Sequence, residues 1–172
     1  DNVFAAAQGS GWRDLDNGMR STQFYGAAGV AGGNLLVGGA QDNGTQRLLG
    51  AATTSTMPFG GDGGQVQIDP TNSNYIYGEY VWTQVHRSTN GGGSSNFITG
   101  NISETTAATA NFITPLLLDP TSALRLYAGA SSLWRTTNAR ASSVTWSVVK
   151  PATTSKISAL TISSSNGNVM WV

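Results

Sequence analysis

The chain has no cysteine and a single histidine, which excludes disulfides, thiolate nucleophiles and any zinc site built from Cys or several His. Charge is scarce too: nine basic and nine acidic residues are scattered over 172 positions, for a formal net charge of zero. Such a chain lacks the basic footprint of a nucleic-acid or membrane-surface binder. No apolar run approaches the ~20 residues that span a bilayer, and no charged stretch followed by an apolar one opens the chain, so no membrane insertion is expected. What is abundant is turn chemistry, with 22 Gly, 19 Ser, 20 Thr and 13 Asn. Long helices are nearly excluded by that composition, whereas a hydrophobic fraction of 39% is enough for a packed core and argues against disorder.

A repeat organises the chain. Val66 to Gly78 aligns without gaps on Leu116 to Ala128 and more loosely on Leu160 to Val172, and a degenerate copy surrounds Gly29 and Leu35 to Gly38. The anchor positions 29, 69, 119 and 163 are 40, 50 and 44 residues apart, a period typical of propeller arrays. Apolar residues alternate before each anchor (Val66 and Ile68, Leu116 and Leu118, Leu160 and Ile162), the pattern of a half-buried strand. An Asp-Pro-Thr or Ser-Ser-Asn-Gly turn and a second strand follow. Val85 to Ser88 and Leu133 to Thr136 read as third strands, and after a polar turn Phe97 and Trp146 open the fourth. The expected fold is therefore all-β: four-stranded antiparallel blades, each stable only when stacked on its neighbours.

The polar turn before the fourth strand carries a family resemblance. Ser88-Thr89-Asn90-Gly91-Gly92 with Phe97, and Thr136-Thr137-Asn138 with Trp146, resemble the Asp-box (BNR) turn, Ser-x-Asp-x-Gly with a following Trp, of sialidase-like and sortilin-like β-propellers. In such a turn the hydroxyl and the Asx side chain satisfy loop amides, Gly takes positive φ, and the aromatic pins the hairpin. Both copies have Asn where the motif has Asp, and the second lacks the Gly. The string Gly39 to Thr45, followed by Gly60-Gly61-Asp62-Gly63-Gly64 and Ile68-Asp69-Pro70, resembles bacterial secreted glycosyl-hydrolase-like propellers. The resemblance implies a β-propeller at the cell surface or outside the cell, and is weak for activity.

Placing strands by these columns gives a half-blade at about 1–15, blades at about 23–56, 64–100 and 112–150, and a half-blade at about 157–172. The chain is expected to be a segment of a larger propeller, its terminal edges covered by the remaining blades of a longer chain or by another subunit.

Alternating connections in a propeller blade put Asp42 and Asp62 on one face of adjacent blades, with Arg20, Asp16, Asn17, Glu79, Tyr80, Trp82 and Glu104 around them. The structural turns, with Ser88, Asn90, Gly92, Thr136, Asn138 and Trp146, belong to the other face. Carboxylates beside Tyr and Trp suit glycoside hydrolysis or sugar stacking; equally, Asp42 and Asp62 suit capping of their own loops. His86 lies within a third strand and reads as structural. Asp14 to Gly18 is too irregular for a calcium loop, so neither metal nor cofactor is expected. Trp12, Trp134, Trp146 and Trp171 sit on strand columns and read as core. A sialidase needs an arginine triad on the ligand face, where only Arg20 falls. Xyloglucan-cleaving propellers use two facing Asp residues from opposite domains, which one half-propeller does not display. The reading is an extracellular binding or interaction module whose partner is a glycan or a protein, contacted through Asp42, Asp62, Glu79, Tyr80, Trp82 and Arg20; the alternative is part of a glycoside hydrolase in which Asp42 and Asp62 are the candidate catalytic pair.

Overall fold

A computed structural model describes residues 21–52 and 54–172 in full, together with the backbone of residues 4–7 and 11–14. The described residues form sixteen strands and no helix. Three four-stranded antiparallel sheets run in simple meander order. The first joins β3 (Phe24–Gly29), β4 (Leu35–Ala40), β5 (Gly44–Leu49) and β6 (Thr56–Phe59). The second joins β7 (Val66–Ile68), β8 (Ile76–Glu79), β9 (Val85–Ser88) and β10 (Asn96–Phe97). The third joins β11 (Leu116–Leu118), β12 (Leu126–Gly129), β13 (Leu133–Thr136) and β14 (Ser147–Lys150). Two-stranded sheets precede and follow them along the chain, β1 (Phe4–Ala7) with β2 (Gly11–Asp14) and β15 (Thr161–Ile162) with β16 (Met170–Trp171). This is a partial β-propeller.

Identical registers make the three sheets copies of one unit. Val37 faces Arg47, Tyr77 faces Arg87 and Tyr127 faces Arg135 across the second and third strands. The core lies between sheets, as expected of blades too small to bury their own faces. Leu35 and Val37 of the first blade pack with Val66 and Ile76 of the second. Tyr77 and Val85 of the second share a cluster with Leu116, Leu126 and Trp134 of the third. Tyr127 and Leu133 of the third pack with Ile157 and Ile162.

The turns fold by side-chain capping. Asp69 Oδ1 accepts from Thr71 N (2.9 Å), Thr71 Oγ1 (2.8 Å) and Asn72 N (3.1 Å), and Asp119 Oδ1 accepts from Thr121 N and Oγ1, both at 2.7 Å. Ser88 Oγ donates to Asn90 Oδ1 and accepts from Gly92 N, and Asn90 Oδ1 also accepts from Ser94 N. Thr136 and Asn138 repeat this arrangement, with Asn138 Oδ1 accepting from Thr145 N. Each amide nitrogen finds its own acceptor, Asn90 Nδ2 on Ser94 Oγ and Asn138 Nδ2 on Ser143 O, so Asn fills a place where a carboxylate would have had nothing to donate. Gly92 takes φ 85°, and a side chain there would collide with Arg47 Cδ at 2.8 Å.

Arginines of the third strands fasten successive blades. Arg47 Nη1 donates to Gly91 O of the second blade (2.8 Å), and Arg87 Nη1 donates to Ala139 O and Ala141 O of the third (2.7 and 2.6 Å). Trp146 shares a buried cluster with Ala139 and Val144 of its own hairpin, and its Nε1 donates to Ile98 O of the preceding blade at 2.8 Å. Trp134 and Trp146 are buried, and the side chain of Trp12 lies outside the described residues. Trp171, expected in the core, is 75% exposed; it holds the register place of Tyr77 and Tyr127, which are buried against the strands that follow their blades, and no described sheet follows β16.

Candidate functional site

The β4–β5 and β6–β7 loops of neighbouring blades meet at the end of the molecule opposite the capped turns. Asp42 is exposed and sits at the tip of the β4–β5 loop with φ 58°, and Asp62 Oδ1 accepts its backbone N–H at 3.0 Å. Left-handed φ is costly for a non-glycine residue, about 1–2 kcal/mol. Among the described residues the non-glycine positions with positive φ are Asp42, Trp82 (50°) and Thr83 (61°), all in second-to-third-strand loops of the first two blades. A cavity of about 370 Å³ adjoins Asp42, lined by Ser21, Thr22, Gln23, Gln41, Asp42 and Asn43. Tyr25 Oη donates to Gln41 Oε1 at 2.8 Å and steadies that wall. A larger hollow, about 640 Å³, lies on the first blade, lined by Phe24, Ala28, Leu36 and Leu48 together with the polar Asn43, Gln46 and Ser55.

On the second blade, Tyr80 is half-buried with its ring against Gly61, where an added Cβ would lie 2.5 Å from Tyr80 Cε2. Trp82 is half-buried, packs edge-to-face on Phe112 at 6.2 Å between ring centroids, and donates its backbone N–H to Phe112 O. Phe112, 44% exposed, went unread in the sequence because its 98–115 segment carries no strand period.

The structure thus brings Asp42, Asp62 and Tyr80 together through the Gly-rich β6–β7 loop, with Trp82 on the next loop of the same face. Two expected neighbours do otherwise. Glu79 is only 1% exposed and turns between blades, so it does not meet a ligand. Its Oε1 accepts from Thr114 N (2.9 Å) and Thr114 Oγ1 (2.7 Å), and burial pushes its carboxyl up to about 7. Glu104 accepts from Ser132 N, Ser132 Oγ and Trp134 Nε1 at 2.8 to 3.0 Å and serves as an internal brace. Arg20, with Asp16 and Asn17, lies outside the described residues. Asp62 is half-buried and spends one oxygen on the Asp42 N–H, which is capping of a loop on the adjacent blade rather than of its own. His86 is structural: it stacks on Phe59 at 5.1 Å between ring centroids, meets the tilted ring of Phe97 at 3.8 Å, and burial lowers its pKa to about 4.

Comparison with known proteins yields fold relatives only. No protein-family model matches the chain, and no curated protein matches it. An ancestral GH74 enzyme superposes with a TM-score of 0.57 at 18% identity, over 84% of this chain and 22% of that one. The GH74 enzyme of Niastella koreensis superposes with a TM-score of 0.59 at 19% identity, over 80% of this chain and 25% of its own. GH74 enzymes are β-propeller glycoside hydrolases, and the chain spans about a quarter of the length of these two structures or less.

Proposed function

We propose that this chain is part of a glycoside-hydrolase-type β-propeller and that the loops around Asp42 form one wall of its carbohydrate cleft. The observation that carries the proposal is Asp42 itself, an exposed carboxylate held in left-handed backbone by the Asp62 cap beside an open polar cavity. Backbone strain persists where the surroundings over-determine it, and it clusters at ligand sites. Glycoside hydrolysis uses two carboxylates flanking the scissile bond. Asp42 is one of them in this reading. Asp62, engaged with the Asp42 N–H, is its positioning partner, and the second carboxylate comes from another part of the particle. Trp82 and Phe112 supply apolar surface for sugar faces farther along the cleft. The polar turns at Ser88 and Thr136 are Asp-box turns with Asn in the acidic place, and the protein works outside the cell, in keeping with its Ser, Thr and Asn richness and lack of Cys.

The test is release of reducing ends from soluble β-glucans and xyloglucan by the purified protein. Asp42→Asn should abolish release with the thermal midpoint unchanged within about 2 °C, the scale of a neutral surface change. Full turnover in Asp42→Asn would refute the assignment. A binding module is favoured by one fact, that Asp62 is committed to a backbone amide. It would show no turnover in any variant, with affinity electrophoresis on the same polysaccharides weakened by Asp42→Ala and Trp82→Ala.

A further inference from the structure

The three blades share one position at the end of the second strand, occupied by Gly39, Glu79 and Gly129, which face Thr45, Val85 and Leu133 in the same register. At the two glycines the following blade packs directly on the backbone. A Cβ on Gly39 would lie 1.9 Å from Gly64 O, and one on Gly129 would lie 2.8 Å from Ile157 Cγ2. Between the second and third blades a carboxyl is inserted instead, and Thr114 meets it with two hydrogen bonds to Oε1.

The other oxygen, Oε2, is buried without a hydrogen-bond partner. It rests against Gly64, where a Cβ would come within 2.3 Å. A neutral carboxyl fits this place, its carbonyl oxygen accepting both Thr114 bonds. An ionised one places charge on an oxygen that makes no hydrogen bond, with only the backbone N–H groups of Gln65 and Thr83 to offset its burial, a costly arrangement in a dry site. Burial accordingly pushes the Glu79 carboxyl up to about 7, against the Thr114 hydroxyl and the backbone N–H groups of Thr114, Gln65 and Thr83.

What Glu79 adjoins is the β8–β9 loop, residues 80–84. Thr83 in that loop is fully buried, with its hydroxyl on Glu104 O, and Trp82 hangs on Phe112 O. Both carry positive φ. The loop is therefore strained and held from one side by the strand that ends in Glu79 and from the other by the 98–115 segment. Other titratable groups on the packed elements are turned elsewhere: Asp62 to Asp42 N, Glu104 to Ser132 and Trp134, His86 to Phe59 and Phe97, and Tyr80 to Gly61.

We infer that Glu79 is a positioning residue for the Trp82 loop: its neutral carboxyl seats that loop and the third blade together, and its ionisation unseats them. The inference rests on the carbohydrate reading only for what Trp82 meets; the response of the loop is independent of any ligand. The test is hydrogen exchange of the 80–84 amides in the protein carrying this segment, between pH 5.5 and 8.5, corrected for the intrinsic chemical rate. Wild type should lose about tenfold in protection across pH 7, and Glu79→Gln, which keeps the Oε1 acceptor and cannot ionise, should lose none. Thr114→Val removes one donor to Oε1 and should move the loss of protection to higher pH. Wild-type protection that is flat with pH, or a loss of protection unchanged in Thr114→Val, would overturn the inference even if Glu79→Gln failed to fold. A pH-responsive loop in a protein that binds no polysaccharide would uphold the role of Glu79 and count against the carbohydrate reading alone.

Discussion

Replacing Arg140 by alanine isolates a single joint between blades. Arg140 lies in the β13–β14 turn of the third blade and reaches back to the β7–β8 turn of the second, where its Nε donates to Asp69 Oδ2 at 2.7 Å, its Nη2 lies 2.5 Å from the same oxygen, and Thr71 Oγ1 accepts a further bond. Its guanidinium also covers Tyr75 at 5.2 Å from the ring centroid. The Asp69 side chain is fully buried, whereas that of Arg140 is 28% exposed. Removing one partner of a buried pair costs about 3–5 kcal/mol. Partial exposure of the arginine and the three donors that Asp69 retains from its own turn reduce this to roughly 2 kcal/mol. Urea denaturation of Arg140→Ala, Asp69→Asn and the double variant should show a coupling of at least about 1 kcal/mol. Burial raises the Asp69 pKa, but hydrogen bonds from Arg140 and Thr71 more than offset this and the net shift is downward from 3.8. The stability contributed is therefore present above the unfolded value and is lost as pH falls through the lower folded one. A coupling below about 0.3 kcal/mol, within the error of additive sites, would refute the idea that this pair fastens the blades.

His86, whose pKa is lowered to about 4, should contribute stability that is present above pH 6.5 and lost as pH falls toward 4. His86→Phe should flatten the urea midpoint over that window, and an unchanged slope would place the acid sensitivity elsewhere. Gly39→Ala should cost about 3 kcal/mol or more, since the new methyl would lie 1.9 Å from a backbone oxygen of the next blade; a wild-type thermal midpoint would show that the blades slide apart freely. Asp42→Gly should stabilise the fold by about 1 kcal/mol through relief of positive φ while weakening polysaccharide turnover or affinity, and a loss of stability would mean that Asp42 makes more contacts than its capped amide.

The blades themselves were legible from one chain alone because a strand period of two and a turn every few residues are local properties. Val66 and Ile68, or Asp119 with Thr121, need no distant partner to declare a strand or a capped turn. The same locality shows that Asp42 and Asp62 belong to loops of one face. It does not reach the joints between blades. Three arginines share one strand column, yet which carbonyls Arg47 and Arg87 reach depends on how sheets stack. The acidic residues illustrate the limit most clearly. Asp42, Asp62, Glu79 and Glu104 are equivalent as letters in polar loops. Tertiary packing leaves the first in solvent, sets the second to cap it, buries the third against Thr114 and makes the fourth a brace for Trp134. Whether a carboxylate can meet a ligand is decided by the neighbouring blade that covers it, and that neighbour lies some 20 to 35 residues away along the chain.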